Sequence, residues 1–417
     1  MNTMETKSFL ILLAALFMAG CNLPGNSIED DLEKINVTEK TARLIEAEND
    51  FGFELFQHVF ETETEYENIM VSPLSVSLAL AMTYNGADGE TKTAMEKALK
   101  VYGLTPEEIN NSYFDLVNAL KSLDKKVLLE IANAIFYRND FEVENEFIST
   151  NNYYYDAEVS ALDFDRQQQA LETINGWVAE KTHDKIPSIL NEITPQQVMF
   201  LLNAIYFKGT WRQEFNEEST KKLPFYLENG ESVETETMQR LDTLPYMSND
   251  LFSAVELSYG KGNYNMYVFL PASGQRVNDI IDNLGKETWE TWMESFQVTE
   301  RVEIKFPRFK YEYKTKLNNA LSKMGMGIAF TDAADFTGIN KNGGLLIDFV
   351  KHKTFIEVNE EGTEAAAVTA VGMRLVSIGN GPDTVPFYVN RPFFYAITEK
   401  STGAVLFMGT VKNPQKG

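Results

Sequence analysis

Between residues 46 and 417 nothing divides the chain: there is no Pro/Gly-rich linker, no repeat period and no low-complexity block. A stretch of that length without a boundary is expected to fold as one domain around one core, although length alone would allow two or three. Helical spacing dominates the first half. Residues 49–60 place Phe51, Leu55, Phe56 and Val59 on one face. Ser72-Pro73 opens the next helix, with Ser72 as N-cap and Pro73 in the first turn, and Leu74, Leu78, Ala81 and Met82 then recur on one side. Strand-like runs follow at 127–136, 198–207, 266–270 and 302–306, and the C-terminal end adds 387–397 and 405–411. Helices first and strands later, without strict alternation, predict an α+β fold with mostly antiparallel sheets.

Charge excludes some partners. Lys and Arg number 37 against 61 Asp and Glu, a formal net charge of −24. A nucleic-acid partner requires a basic footprint on which phosphates are neutralised, so none is expected. Electrostatic binding to anionic lipid is disfavoured for the same reason. Cys21 is the single cysteine, so no disulfide framework and no cysteine metal site can be built.

Residues 1–20 read as a targeting segment. Lys7 precedes an apolar run at 9–19, which at about 1.5 Å per residue reaches half way across a bilayer and suits a signal-peptide core. Ala19-Gly20-Cys21 resembles a bacterial lipobox, with Met18 where Leu is usual. The resemblance implies removal of the signal and lipidation of Cys21; an ordinary secretory signal with an incidental cysteine is the other reading. The expected location is the bacterial cell envelope, at the outer membrane or cell surface, held by the lipid alone; otherwise the chain is secreted. Residues 21–45 are polar and acidic and read as a tether.

Catalytic arrangements are missing from the sequence. It has no G-x-S-x-G elbow, no H-E-x-x-H and no G-x-x-x-x-G-K-[ST] loop. Gly260-Lys261-Gly262 reads as a hairpin turn. A Ser/His/Asp triad would need His58, His183 or His352, and nothing marks any of them as a base.

Several separate stretches carry a family resemblance. They are Asn68-Ile69-Met70-Val71-Ser72-Pro73-Leu74-Ser75, Asn133-Ala134-Ile135-Phe136, and Ile174-Asn175-Gly176-Trp177-Val178 with Lys181-Thr182 and Lys185-Ile186. Asn203-Ala204-Ile205-Tyr206-Phe207-Lys208-Gly209-Thr210-Trp211 follows, then Glu357-Val358-Asn359-Glu360-Glu361-Gly362-Thr363-Glu364-Ala365-Ala366-Ala367, and finally Phe387-Tyr388-Val389-Asn390-Arg391-Pro392-Phe393-Phe394. In this order they resemble the serpins, a family of serine protease inhibitors, from about residue 46 to 414. Ser258 stands where the family usually has Pro, and Asp184 where Gly is frequent.

The resemblance implies the serpin fold, with a helical N-terminal half and an exposed reactive-centre loop at about 360–385. In the loop, Thr363, Ala365, Ala367, Thr369 and Val371 share one face of a strand, and all are small or β-branched. Glu364 and Ala366 share the other. Read alone, the segment is equally an Ala-rich helix or a surface linker. Within the family, Glu360, Gly362, Thr363, Glu364, Ala365, Ala366 and Ala367 form the hinge of a loop that inserts into the main sheet once cut. Residues 360–376 count 17, which extended at about 3.3 Å each reach roughly 56 Å. That is about the diameter of a domain of this size.

The family's usual count from Glu360 puts the reactive bond at Val376-Ser377, suited to the small apolar pocket of elastase-like proteases. Arg374-Leu375 competes and would attract trypsin-like enzymes. Ser72, Ser75, Asn203 and His352 resemble the family's polar latch beneath the sheet. Trp211 resembles the point where insertion begins, and is otherwise a large core aromatic. The implied partner is a target protease, of the serine or alternatively the cysteine class; no cofactor or metal is implied, and a monomer is expected. One rival reading is a non-inhibitory serpin acting as a binding or chaperone module, which would carry bulky, charged or Pro residues on the hinge's inward face. The other is a lipoprotein hydrolase, which would turn over a substrate.

Overall fold

The computed structural model describes residues 32–64, 67–363 and 383–416. Cys21, Glu364, Ala365, Ala366, Ala367, Arg374, Leu375, Val376 and Ser377 lie outside the described residues. Helices occupy the first half: α1 (Glu39–Thr62), α2 (Pro73–Tyr84), α3 (Gly89–Ala98), α4 (Pro106–Ser122), α5 (Asn145–Tyr155) and α6 (Gln167–Lys181). Ser72 caps α2 by accepting from the Ser75 amide, with Pro73 in the first turn. Every residue of α2 except Ala79 is buried, as befits a helix apolar on all sides.

Two sheets lie against these helices. The larger runs in the order β1 (Ile69–Val71), β15 (Val405–Val411), β14 (Phe393–Glu399), β8 (Tyr264–Pro271), β7 (Phe252–Tyr259), β6 (Ser232–Ser248), β9 (Gln297–Pro307), β13 (Val385–Tyr388), with β5 (Lys221–Tyr226) on β6. The smaller runs β10 (Phe309–Lys316), β11 (Lys351–Val358), β12 (Gly362–Thr363), β4 (Met199–Thr210), β2 (Val127–Arg138), β3 (Ala157–Leu162). Pairing is antiparallel except β2–β3 and β9–β13. The expected α+β class with mostly antiparallel sheets is the observed one. Gly260 and Gly262, at φ 52° and 108°, turn the chain between β7 and β8, so that stretch is a hairpin.

One core fills the space between the two sheets and packs α1 and α2 into it. A second, smaller core lies on the outer face of the six-stranded sheet. There α6 lays Ala170, Ile174, Trp177 and Val178 on Phe136, Phe200 and Leu202. The helix ends where Thr182 Oγ1 donates to the Val178 carbonyl at 2.8 Å, followed by His183 and Asp184 at φ 49° and 61°. Left-handed backbone at Asp184 explains why Gly is frequent there in the family.

The tether expected over 21–45 ends earlier than its reading. The Ile35 amide donates to Ser401 Oγ at 3.0 Å, α1 begins at Glu39, and Leu44 and Ile45 are buried. The polar composition of 21–45 hid an amphipathic first turn.

Glu48 on α1 is 2% exposed, and neither carboxylate oxygen has a partner among the described residues. Burial raises its pKa from 4.5 to about 8. The folded chain therefore keeps the proton over a window in which the unfolded chain releases it, and stability falls as pH rises from about 4.5 to about 8. Urea midpoints between about pH 6.5 and 8.5 should show a loss on the order of 2 kcal/mol. Glu48→Gln should remove that slope; an unchanged slope would mean the carboxyl is solvated.

Candidate functional site

The head of the six-stranded sheet is organised around Asn359, whose Oδ1 accepts from the amides of Glu361 at 3.0 Å and Gly362 at 3.2 Å. The Asn359 amide donates to the Gly362 carbonyl at 2.9 Å. This turn brings the chain back alongside β11. Gly362 sits at φ 152°, and a Cβ there would lie 2.0 Å from the Gly209 carbonyl oxygen, so no other residue fits. Glu360 is pulled inward by a bifurcated hydrogen bond: Arg308 Nε donates to both of its carboxylate oxygens, at 2.8 and 2.6 Å. Thr220 Oγ1 donates to the same carboxylate, and Arg308 Nη1 reaches Glu236 at 2.7 Å. Trp211 clamps the turn from the other side. Its Nε1 donates to the Asn359 carbonyl at 2.9 Å and its amide to the Glu361 carbonyl at 2.7 Å.

Thr363 is the last described residue before 383. It faces Gly209 of β4 and Val358 of β11, and it is 3% exposed. Its Oγ1 shares a hydrogen bond of 2.6 Å with the Tyr259 hydroxyl, and the Tyr259 ring stacks on Trp211 at 4.4 Å. Below β12, β4 and β11 share no ladder among the described residues. Directly under Thr363 the space between them is a void of about 20 Å³. Lower down it widens into a cavity of about 760 Å³, walled by Leu80, Ile189, Phe200, Leu202, Phe349 and His352, among others.

His352, on the inward face of β11, is buried and its Nε2 accepts from the Ser72 amide at 3.0 Å. Ser72 Oγ donates to the Leu406 carbonyl at 2.8 Å. Burial holds the His352 pKa down at about 4, so the ring is neutral and its Nε2 is an acceptor. Asn203 stands apart from this cluster. It lines the same cavity, but its Nδ2 donates to Asn133 Oδ1 at 2.8 Å, and its buried Oδ1 has no partner among the described residues.

Glu360, Gly362, Thr363 and Trp211 thus converge at the head of the gap, and Ser72, Ser75, Asn203 and His352 lie farther down it. One expectation is corrected. A loop exposed from about residue 360 does not describe Glu360 or Thr363, at 2% and 3% exposure. The Asn359 turn and the freedom of Gly362 carry both into the sheet. Arg308, Thr220, Glu236 and Tyr259 of this site were not read from the sequence. Arg308 had no local signal, since its partner lies 52 residues away. Tyr259 adjoins Ser258, the position where the family usually has Pro, and an aromatic beside a family position was the available signal.

Because the His352 pKa is lower folded than unfolded, its contribution is present above about 6.5 and is lost as pH falls toward about 4. Between about pH 6.5 and 5 the parent should lose on the order of 2 kcal/mol more than His352→Gln, read as the difference in urea midpoints. Parallel curves would show that the ring is protonated in the folded chain without cost.

The family described as "Serpin (serine protease inhibitor)" matches residues 46–414. An uncharacterized serpin-like protein of Methanosarcina mazei is 32% identical over 97% of this chain and 98% of its own length. Intracellular coagulation inhibitor 2 of Tachypleus tridentatus is 32% identical over 88% of this chain and 90% of its own. The crystal structure of the thermophilic serpin tengpin in its native state superposes with a TM-score of 0.80, at 34% identity over 93% of this chain and 99% of tengpin. Sequence, fold and coverage agree, and the chain belongs to the serpins, a family generally of protease inhibitors rather than enzymes.

Proposed function

We propose that this chain traps a target protease by presenting the residues beyond Thr363 as substrate and then drawing the cut strand into the gap between β4 and β11. The acyl-enzyme is carried along with the strand before it can be hydrolysed. One observation carries the reading: β12 already stands between β4 and β11, antiparallel to both. With that register kept, each residue farther along the loop faces one place earlier on each neighbour. Ala365 then faces Phe207 and Ile356, Ala367 faces Ile205 and Thr354, and Thr369 faces Asn203 and His352. Small side chains fall where the gap is narrow. A hydroxyl falls beside Asn203 Oδ1, which lacks a donor among the described residues.

The register reaches Met199, the first residue of β4, at Met373, just short of both candidate bonds. Val376-Ser377 is the proposed reactive bond and an elastase-like serine protease the proposed target. The name of the Tachypleus relative, a coagulation inhibitor, agrees with an inhibitory role. Lipidation at Cys21 and a place at the bacterial envelope complete the proposal.

Incubation with elastase-like and trypsin-like proteases should give a covalent complex that survives denaturing gels, and a released C-terminal peptide beginning at Ser377. A peptide beginning at Leu375 would move the bond to Arg374. Cleavage should raise the thermal midpoint by far more than the few degrees of an ordinary substitution; an unchanged midpoint would overturn insertion.

Thr363→Arg would put an unpaired charge where Thr363 now meets Tyr259, at a cost of several kcal/mol. The uncut variant should be less stable, still cut at the same bond, and unable to hold protease. Undiminished trapping would show that insertion does not start here. Cys21→Ala should leave trapping intact and release the chain from membranes, as fractionation would show; continued membrane association would place the anchor elsewhere.

A further inference from the structure

The β10–β11 ladder sets like charges against each other. Lys316 stands opposite Lys351 and Lys314 opposite Lys353, in a chain whose formal net charge is −24. Like charges directly opposite one another destabilise a sheet. Glu312 pairs with Lys353 at 2.9 Å, whereas neither Lys316 nor Lys351 makes an ion pair among the described residues. Their amines lie against one aromatic ring instead. Nζ of Lys351 is 4.6 Å from the centroid of Phe349, and Nζ of Lys316 is 6.0 Å from it. Half-burial holds the Lys351 pKa below its ordinary value; Glu192 and Asp348 oppose that shift, and the Lys316 charge adds to it. Asp348 is engaged elsewhere, its Oδ2 accepting from Gln197 Nε2 at 2.6 Å.

This basic pair stands at the margin of the cavity of about 760 Å³. Phe349 and Lys351 both line the cavity, and the Phe349 ring lies 6.0 Å from the ring of Phe200 on β4. Past those rings the walls include Leu80, Ile189, Leu190 and Leu202. Small-molecule pockets run from about 300 to 1,000 Å³ and combine apolar walls with a few polar groups, as this one does. An inorganic anion would satisfy the two lysines and leave the apolar walls unused. A hydrocarbon would fill the walls and leave the opposed charges unneutralised. We propose that the cavity binds a single-chain anionic amphiphile, a fatty carboxylate or an alkyl phosphate, with its head held by Lys316 and Lys351 and its chain running past Phe349 into the gap. The proposal concerns the uncut chain and does not depend on the insertion reading above.

The test titrates uncut full-length chain with dodecanoate by calorimetry and follows its thermal midpoint. One-to-one binding is expected, with a midpoint that rises with ligand concentration. Decanoate, two methylenes shorter, should bind about fifteenfold more weakly, since each buried methylene is worth about fourfold. Dodecyltrimethylammonium has the same chain and the opposite charge, and should bind at least about tenfold more weakly than dodecanoate. Lys316→Met and Lys351→Met should each weaken dodecanoate about threefold to tenfold. Lys351→Arg should keep the parent affinity, as should Lys323→Met at the exposed Lys323–Glu61 pair. Each lysine-to-methionine change at 316 or 351 removes a like-charge opposition, so the ligand-free midpoint should stay at or above the parent's and weaker binding would not reflect misfolding. Dodecyl phosphate set against dodecanoate shows which anionic head the site prefers, and saturable binding of either supports the proposal. Equal binding of the cationic and anionic amphiphiles, or dodecanoate affinity untouched in both methionine variants, would overturn it and leave a plain apolar cavity. Inorganic phosphate binding as tightly as dodecyl phosphate would overturn the part given to the chain, and no saturable binding of any amphiphile would overturn the whole.

Discussion

Two facing strand edges with only a two-residue strand between them set the terms for the rest of this molecule. Backbone N–H and C=O groups are obligatory hydrogen-bonding groups, and an unpaired edge invites another strand. β4 and β11 meet through Gly362 and Thr363 and share no ladder below them among the described residues. Each half of the sheet therefore has to be held by something other than its neighbour. The β2–β4 half is clamped between the main core and the α6 cluster. The β10–β11 half is tied to the larger sheet by the Tyr311 hydroxyl, which donates to the Ile69 carbonyl at 3.0 Å and meets the Tyr395 hydroxyl at 2.7 Å. α2 spans the space behind, reached from β11 through the Ser72–His352 bond.

The head of the gap is fixed far more firmly than its length. Glu360 is fully enclosed and receives three donor contacts, from Arg308 twice and Thr220 once. Removing one partner of such a pair strands a buried charge, at a cost of about 3–5 kcal/mol for fully buried pairs and less here, where Arg308 is partly exposed. Trp211 adds two hydrogen bonds and a stacked ring. The unfavourable start of a strand, ordering several dihedrals for few bonds, is thereby completed in the uncut chain. On the proposed insertion, what would remain for the loop is propagation along edges already aligned by the register of β12.

Legibility followed the local character of each signal. The apolar runs that became β2, β4, β8 and β15 were readable because burial on both faces or a dense core face leaves a nearly continuous apolar string, and β9 through the alternation of Val302, Ile304 and Phe306. The run at 387–397 was read as one strand and is two, β13 and β14, because Asn390-Arg391-Pro392 turns the chain and Pro392 has no amide to donate. β5, β6 and β10 went unread: their outward faces are polar, and β10 hides Phe309, Tyr311 and Tyr313 between charged neighbours. The hinge residues were named from family likeness, yet their burial was not foreseen. Burial there depends on partners at positions 211, 259 and 308, and no spacing rule joins those to 360–363.

On the proposed insertion, energetics give a reason why Thr363, Ala365, Ala367 and Thr369 are small instead of merely apolar. Each residue ordered into a strand loses about 1–2 kcal/mol of backbone freedom. The ladder bonds it makes return about 0.5–1.5 kcal/mol each, so hydrogen bonding and entropy nearly cancel along the strand. The balance is then set by what the side chains meet inside. With the register of β12 kept, Ala365 would come opposite Phe207 and Ile356, beside a void of about 20 Å³, where a large side chain would force its neighbours off their rotamers. Opposite Asn203 and His352 an aliphatic side chain would leave the Asn203 acceptor unpaired, and a charged one would be buried without a counter-ion. Threonine offers a donor and a methyl at that level. On the proposed insertion, the series Thr363, Ala365, Ala367 and Thr369 would match, position by position, the width and polarity of the gap between β4 and β11.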